Sequence, residues 1–278
     1  MSRYSKFRGF TLIELLVVIA IIAMLLAVLV PALRRAKQQA RILMCATHQK
    51  GIVESVQSFS AEHNSTLPPT IQGQADPSDP RTAVYWTIPN RLKYYYKTPA
   101  ALNGGSVIHI LGDYMSVPKI WNCPLSSGDV EWQEEYLSQY KDERVFMMDS
   151  SYLLLWNYLG WKKQTGFNPV GGSHTLMVTD AFLKTDSYNR QNGDYMASHP
   201  FKSSTSCDFL NMYNIQEGNT TLAAKYYMGF STETPEMQLN SAYLDGHVET
   251  LSTREDYCNL SDLGGSTLYF MPQRGKWR

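Results

Sequence analysis

From Phe10 to Val30 the sequence is apolar at nearly every position (FTLIELLVVIAIIAMLLAVLV), with Glu14 as its one charge. No charged residue occurs between Leu15 and Leu33. At about 1.5 Å per residue, that stretch is long enough as a helix to cross the hydrocarbon core of a bilayer. After Pro31 the pattern changes. Leu33, Ala36, Ala40, Leu43, Ile52, Val56 and Phe59 recur mostly in steps of three or four, while Arg34, Arg35, Lys37, Gln38, Arg41, Gln49 and Lys50 fill the other faces. Such spacing predicts an amphipathic helix continuing to about Glu62. One element is therefore expected to run roughly 80 Å, apolar all round over 10–33 and one-sided over 34–63. Gly51 weakens it locally, and His63-Asn64-Ser65 with Leu67-Pro68-Pro69 ends it.

Beyond the helix the pattern shortens to strand length. Residues 64–82 are rich in Pro, Ser, Asp and Gly and read as a loop. Residues 83–122 alternate aromatic and polar character, and the charge-dense 126–144 segment reads as an exposed loop or short helix. Ser150–Leu159 and Thr175–Thr179 read as buried strands, and the polar 184–208 stretch as a surface excursion. In residues 237–252, two alternating runs flank Asp245-Gly246, which predicts a hairpin closed by a type I′ turn. Thr253 and Asp256 have the spacing to cap a short helix after it. The fold class these elements imply is α+β: a long N-terminal helix packed on an antiparallel β-sheet, with a globular region over 64–278.

Charge sharpens the reading of the N-terminus. Arg3, Lys6 and Arg8 precede Gly9, and Arg34 and Arg35 follow the apolar run. A secretory signal has an apolar region of about 7–15 residues and a small-residue cleavage site after it. Here the run is longer and the small residue comes first. A plain signal anchor fits the length but leaves Glu14 unexplained, since a carboxylate in such a run costs roughly 2.5–3.5 kcal/mol and calls for a partner. The string Gly9-Phe10-Thr11-Leu12-Ile13-Glu14 resembles the start of type IV prepilins and type II secretion pseudopilins.

That resemblance implies a leader over residues 1–9, cleavage between Gly9 and Phe10 by a prepilin peptidase, and N-methylation of Phe10 by the same enzyme. It makes Glu14 the assembly residue at the fifth mature position and places Pro31 on the family's helix-loosening proline. Physically, the new amine of one subunit can neutralise Glu14 of its neighbour inside lipid and so fix axial register. The implied partners are that peptidase/N-methyltransferase, an inner-membrane assembly platform with its ATPase, and other pilins or pseudopilins. The implied location is a single-pass inner-membrane protein, its globular part on the periplasmic side, and a filament after assembly. The function expected is a structural subunit, either abundant or minor.

The remaining composition adds little chemistry. The chain has 278 residues with 25 basic and 25 acidic. Loss of the leader's three basic residues leaves 22 against 25, a net charge of −3 with no basic patch suited to nucleic acid. Cys45, Cys123, Cys207 and Cys258 lie far apart without a C-x-x-C pair, so no zinc site is expected from spacing. Four cysteines allow three pairings; the reading favours Cys45 with Cys123 and then Cys207 with Cys258, with buried free thiols as the alternative. A second, looser resemblance is to large pilin-like families of the planctomycete and verrucomicrobial lineage. It rests on Asp245-Gly246-His247-Val248, Cys45 and Cys123-Pro124, but Pro235 stands where that family has a histidine.

Enzymatic readings are weak. Ser173, His174 and Asp180 are the residue types of a hydrolase triad, but no nucleophile elbow is present, and adjacent strand residues point to opposite faces. Asp245 and His247 could share a face, but the hairpin turn explains Asp245-Gly246 without a metal, and the scattered Asp180, Asp186, Asp194 and Asp208 lack tight calcium-ligand spacing. No cofactor, metal or catalytic residue is therefore expected. The alternative function is a tethered binding module that captures polysaccharide or secretion cargo through aromatic residues such as Tyr94-Tyr95-Tyr96, Trp86, Trp121, Trp132, Trp156 and Trp161.

Overall fold

The computed structural model describes residues 11–68, 91–94, 107–115, 118–126, 145–156, 176–185, 194–199, 205–217, 220–231, 236–253, 257–260 and 267–272. The chain divides into two units, Met1–Arg41 and Ile42–Arg278. Helix α1 (Leu12–Glu62) begins in the first and ends in the second, with Pro31 inside it.

In the first unit the large apolar side chains from Leu12 to Leu33 are exposed. In the second, α1 buries Cys45, Gln49, Ile52, Val53 and Val56, positions spaced to share one helix face. That face meets a four-stranded antiparallel sheet. Its order is β10-β9-β4-β3, from β3 (Tyr152–Leu154), β4 (Leu176–Asp180), β9 (Gln238–Tyr243) and β10 (Val248–Ser252). Leu153, Val178, Ala242 and Tyr243 form one core with the helix residues. Strand β4 lies between two partners and is buried at every position, the apolar Leu176, Met177 and Val178 and the polar Thr179 and Asp180 alike. The helix closes with Asn64 and Ser65 at positive φ (53° and 61°), and the Ser65 N–H reaches the Ser60 carbonyl at 2.9 Å.

Among the described residues a second antiparallel sheet has eight strands in the order β1-β2-β7-β8-β6-β5-β12-β11. These are β1 (Arg91–Tyr94), β2 (Val145–Asp149), β5 (Phe182–Thr185), β6 (Asp194–Ala197), β7 (Thr205–Glu217), β8 (Thr220–Ser231), β11 (Tyr257–Leu260) and β12 (Thr267–Pro272). The chain passes between sheets twice close together, at Ser150-Ser151 between β2 and β3 and at Ala181 between β4 and β5. The two crossings are joined, because the Ala181 N–H donates to the Ser151 carbonyl at 3.2 Å. Phe182 and Ala197 of one sheet and Leu239 and Leu251 of the other share a smaller core beside that junction.

Several local expectations need correcting. The β9–β10 hairpin forms, but its turn is not type I′. The Gly246 N–H bonds the Tyr243 carbonyl at 2.9 Å, the Tyr243 N–H bonds the His247 carbonyl at 3.0 Å, and only Gly246 of the turn has positive φ (85°). This is a three-residue loop that puts a single glycine in the left-handed region, so Asp245 keeps an ordinary backbone. The 184–208 stretch is not a plain excursion: it contributes β6 and the start of β7, and Ser198 and His199 are buried. Polar strands of this kind are held by ladder bonds to both neighbours, which hydrophobic alternation does not reveal. No helix follows Asp256, because Tyr257–Leu260 is β11. Thr253 is instead buried and accepts the Met237 N–H at 3.1 Å. Trp121 and Trp156 are core side chains and leave any surface aromatic platform without them. Trp86, Trp132, Trp161, Tyr95 and Tyr96 lie outside the described residues, as do Ser173, His174 and the 127–144 segment.

Two glycines make opposite predictions. A Cβ at Gly246 would meet nothing within 4 Å, so its cost is backbone strain alone. Gly246→Ala should destabilise the full chain by about 1 kcal/mol, and Gly246→Asn by less. A Cβ at Gly51 would sit 3.7 Å from Ile120 Cδ1, an ordinary contact. Gly51→Ala should therefore stabilise by about 0.5–1 kcal/mol. Denaturant unfolding of the detergent-extracted protein measures both.

Candidate functional site

At the start of α1, Thr11 and Glu14 cap the helix reciprocally. Both the Thr11 N–H and its hydroxyl donate to Glu14 Oε2 at 2.8 Å, and the Glu14 N–H donates to Thr11 Oγ1 at 3.2 Å. Thr-x-x-Glu is the capping-box pattern, so the signal was present in the sequence alongside the processing string. Gly9 and Phe10 lie outside the described residues. Pro31 is accommodated within α1.

Deep in the second unit, four chemically active side chains converge from separate parts of the chain. Cys45 comes from α1, Cys123 from just after a 3₁₀ turn (Pro118–Trp121), Asp180 from the end of β4 and His199 from just beyond β6. One donor atom from each lies within 4.8 Å of the others, and all four residues are buried. Asp180 is the hub. Its Oδ1 accepts the Cys45 thiol at 3.2 Å, and its Oδ2 accepts the Asn240 N–H at 2.7 Å. His199 Nε2 is 3.0 Å from the same Oδ2, although the approach is not aligned as a hydrogen bond. His199 Nδ1 faces the Gln238 carbonyl at 2.6 Å; it must donate there, which fixes the ring's orientation.

The supporting shell is made of serines and main chain. Ser198 Oγ donates to the Ser151 carbonyl at 2.6 Å and accepts the Ala181 N–H at 2.9 Å. The Ser151 hydroxyl accepts the Cys123 N–H, and Ser150 Oγ donates to the Trp121 carbonyl at 2.6 Å. Both sheet crossings, the Cys123 segment and the His199 segment are thereby held around one point. The Asn240 side chain ties in the helix, donating to the Ile42 carbonyl at 2.9 Å.

Electrostatics match this geometry. Burial pushes both the Cys45 and Cys123 thiols up, Cys45 well above the ordinary range, so both are neutral thiols in the structure. Burial alone would lower His199, but the Asp180 carboxylate and Cys45 outweigh it and hold the imidazole well above its usual value. A buried carboxylate here demands positive charge beside it.

Of the cysteines named from sequence, the fold brings Cys45 and Cys123 together as free thiols in one buried cluster. Cys207 and Cys258 fall on β7 and β11, with side chains outside the described ones. Spacing missed His199 altogether. At the hairpin, Asp245 and His247 pair with each other, and His247 stacks on Tyr243 at 4.3 Å.

Residues 4–30 match the family described as "Prokaryotic N-terminal methylation motif". The chain thus couples an apolar N-terminus carrying that motif to an α+β domain, and motif and helix together support membrane anchoring. It is also similar to the "Type IV wide pilus major component PilA4" of Thermus thermophilus, with 43% identity over 58 residues. The aligned stretch is 21% of this chain and 44% of that relative. No solved structure matches the chain significantly.

Removing the hub should be costly. Asp180→Ala leaves the Asn240 N–H without its acceptor and His199 without the carboxylate charge 3.0 Å from its Nε2, and should destabilise the protein by about 3–5 kcal/mol. Asp180→Asn should cost less, since an amide oxygen still accepts from Asn240. Denaturant midpoints of the two variants compare them directly.

Proposed function

We propose that the chain is a structural subunit of a type IV pilus-like or type II secretion pseudopilus filament. The observation that carries this is the methylation motif over residues 4–30, set on a helix whose apolar side chains are exposed from Leu12 to Leu33. The similarity of one short stretch to a pilus major component supports the same reading.

In this proposal residues 1–9 are a leader, a prepilin peptidase cuts after Gly9, and Phe10 is N-methylated. Residues 10–33 span the inner membrane and then form the filament core, residues 34–63 continue the helix, and 64–278 form a periplasmic globular domain. An assembly platform with its ATPase and sibling pilins are the partners. Glu14 has two roles in sequence. In a single chain the Thr11 donors satisfy its carboxylate by hydrogen bonding. They bring no full positive charge, so the carboxylate remains a site for the cationic amine of a neighbouring Phe10.

Mass spectrometry of the membrane-extracted protein tests maturation. A chain beginning at Phe10 and heavier by one methyl group is expected, and an intact leader would remove the proposal. Assembly is tested separately. Glu14→Ala should be processed normally yet lose most filament incorporation, whereas Thr11→Val should fray the helix start by about 1 kcal/mol and still incorporate. Equal incorporation of the Glu14→Ala and unmodified chains would end the electrostatic role.

A further inference from the structure

We infer that Cys45, Cys123, Asp180 and His199 form a structural zinc site. Their chemistry fits that ion: two thiolates, an imidazole and a carboxylate are all zinc ligands, and four protein ligands make a closed tetrahedral site. Around zinc with a sulfur distance of about 2.3 Å, ligand atoms lie up to about 3.8 Å apart. The four donor atoms already lie within 4.8 Å of one another, so a small contraction suffices.

The surroundings are those of ligands held for a cation. His199 Nδ1 is engaged by the Gln238 carbonyl, leaving Nε2 directed at Asp180 without a hydrogen-bond partner and 3% exposed. Fixing one ring nitrogen on a carbonyl so that the other binds metal is the usual outer-shell arrangement. The sulfurs have donors as well. The Leu125 N–H reaches Cys123 Sγ at 3.4 Å, and Gln49 Nε2 lies 3.8 Å from Cys45 Sγ. Asp180 keeps the Asn240 N–H on Oδ2, so Oδ1 can exchange the Cys45 thiol proton for the ion.

A disulfide between Cys45 and Cys123 is the competing occupant. It would consume the two sulfurs and leave the buried carboxylate and imidazole to each other. It also removes the thiol that donates to Asp180. Zinc uses all four groups. On uptake the two thiols and the imidazolium release three protons to solvent, the Zn²⁺ ion enters, and no electrons move. The site would then bolt α1, the segment after the 3₁₀ turn, the end of β4 and the segment after β6 together at the point where the chain changes sheets. Burial of every ligand excludes substrate, so the role is structural.

The test uses the full chain, extracted in detergent and freed of loose metal by gel filtration. Elemental analysis should find about one zinc per chain. Peptide-level alkylation should find Cys45 and Cys123 reduced but protected until a chelator is added. Co²⁺ loaded in place of Zn²⁺ should give the intense visible bands of a tetrahedral thiolate site. His199→Gln should weaken Zn²⁺ binding at least about tenfold, because even outer-shell changes cost that much. Should His199→Gln fail to fold, metal content and the cobalt spectrum of the unaltered chain still decide. A Cys45–Cys123 disulfide in that chain, or free thiols with no bound zinc, would overturn the assignment.

Discussion

A helix that exposes its apolar side chains at one end and buries a single stripe at the other is the constraint from which the rest follows. Each exposed Leu, Ile or Val along Leu12–Leu33 would gain roughly 1.5–3 kcal/mol on leaving water. Nothing among the described residues supplies that burial. Lipid or a bundle of similar apolar helices would supply it, and either setting would make an unpaired Glu14 expensive. The capping box lowers that expense by giving the carboxylate two donors within its own chain.

Farther along the same helix the problem is reversed. From Cys45 onward α1 has a sheet to pack on, and its buried stripe includes a thiol and an amide as well as aliphatic side chains. Those polar members are not packing errors. Gln49 and Cys45 belong to the network around Asp180, where the Asn240 N–H, the Cys45 thiol and His199 converge. Half-satisfied buried networks are costly, whereas completed ones specify a unique arrangement. Here the arrangement being specified is where α1 sits on β4 and β9 and where the two sheets hand the chain to each other at Ser150-Ser151 and Ala181.

How much of this could be read from the sequence depended on the range of the interactions. The helix, the α+β class and the Asp245-Gly246 hairpin were legible because each is written in neighbouring residues: periodicity, a proline-rich stop, a turn glycine. The turn type was misjudged because Asp tolerates positive φ without requiring it, and the strand register chose a loop with one left-handed residue. The β6 and β7 strands hid in a polar stretch because main-chain pairing holds them. The buried cluster was illegible for a stronger reason. Its four members are separated by 78, 57 and 19 residues in sequence, so no local spacing rule reaches them. Only the two sheet crossings bring Asp180 and His199 to the cysteines.

The two cysteines show how topology converts ordinary residues into chemistry. Cys45 taken alone is a small apolar group on a helix stripe, a common place for a buried thiol. Cys123 alone is a residue in a tight turn whose sulfur accepts a main-chain N–H. Placed beside a carboxylate that needs positive charge, they become the two groups whose ionisation lets a divalent cation replace a proton on His199. The same burial that keeps both thiols neutral would exclude water from the ion once bound, and low polarity strengthens each ligand's attraction to it. Burial therefore opposes ionisation of the free thiols, so a buried thiolate with no cation beside it is the least stable of the options.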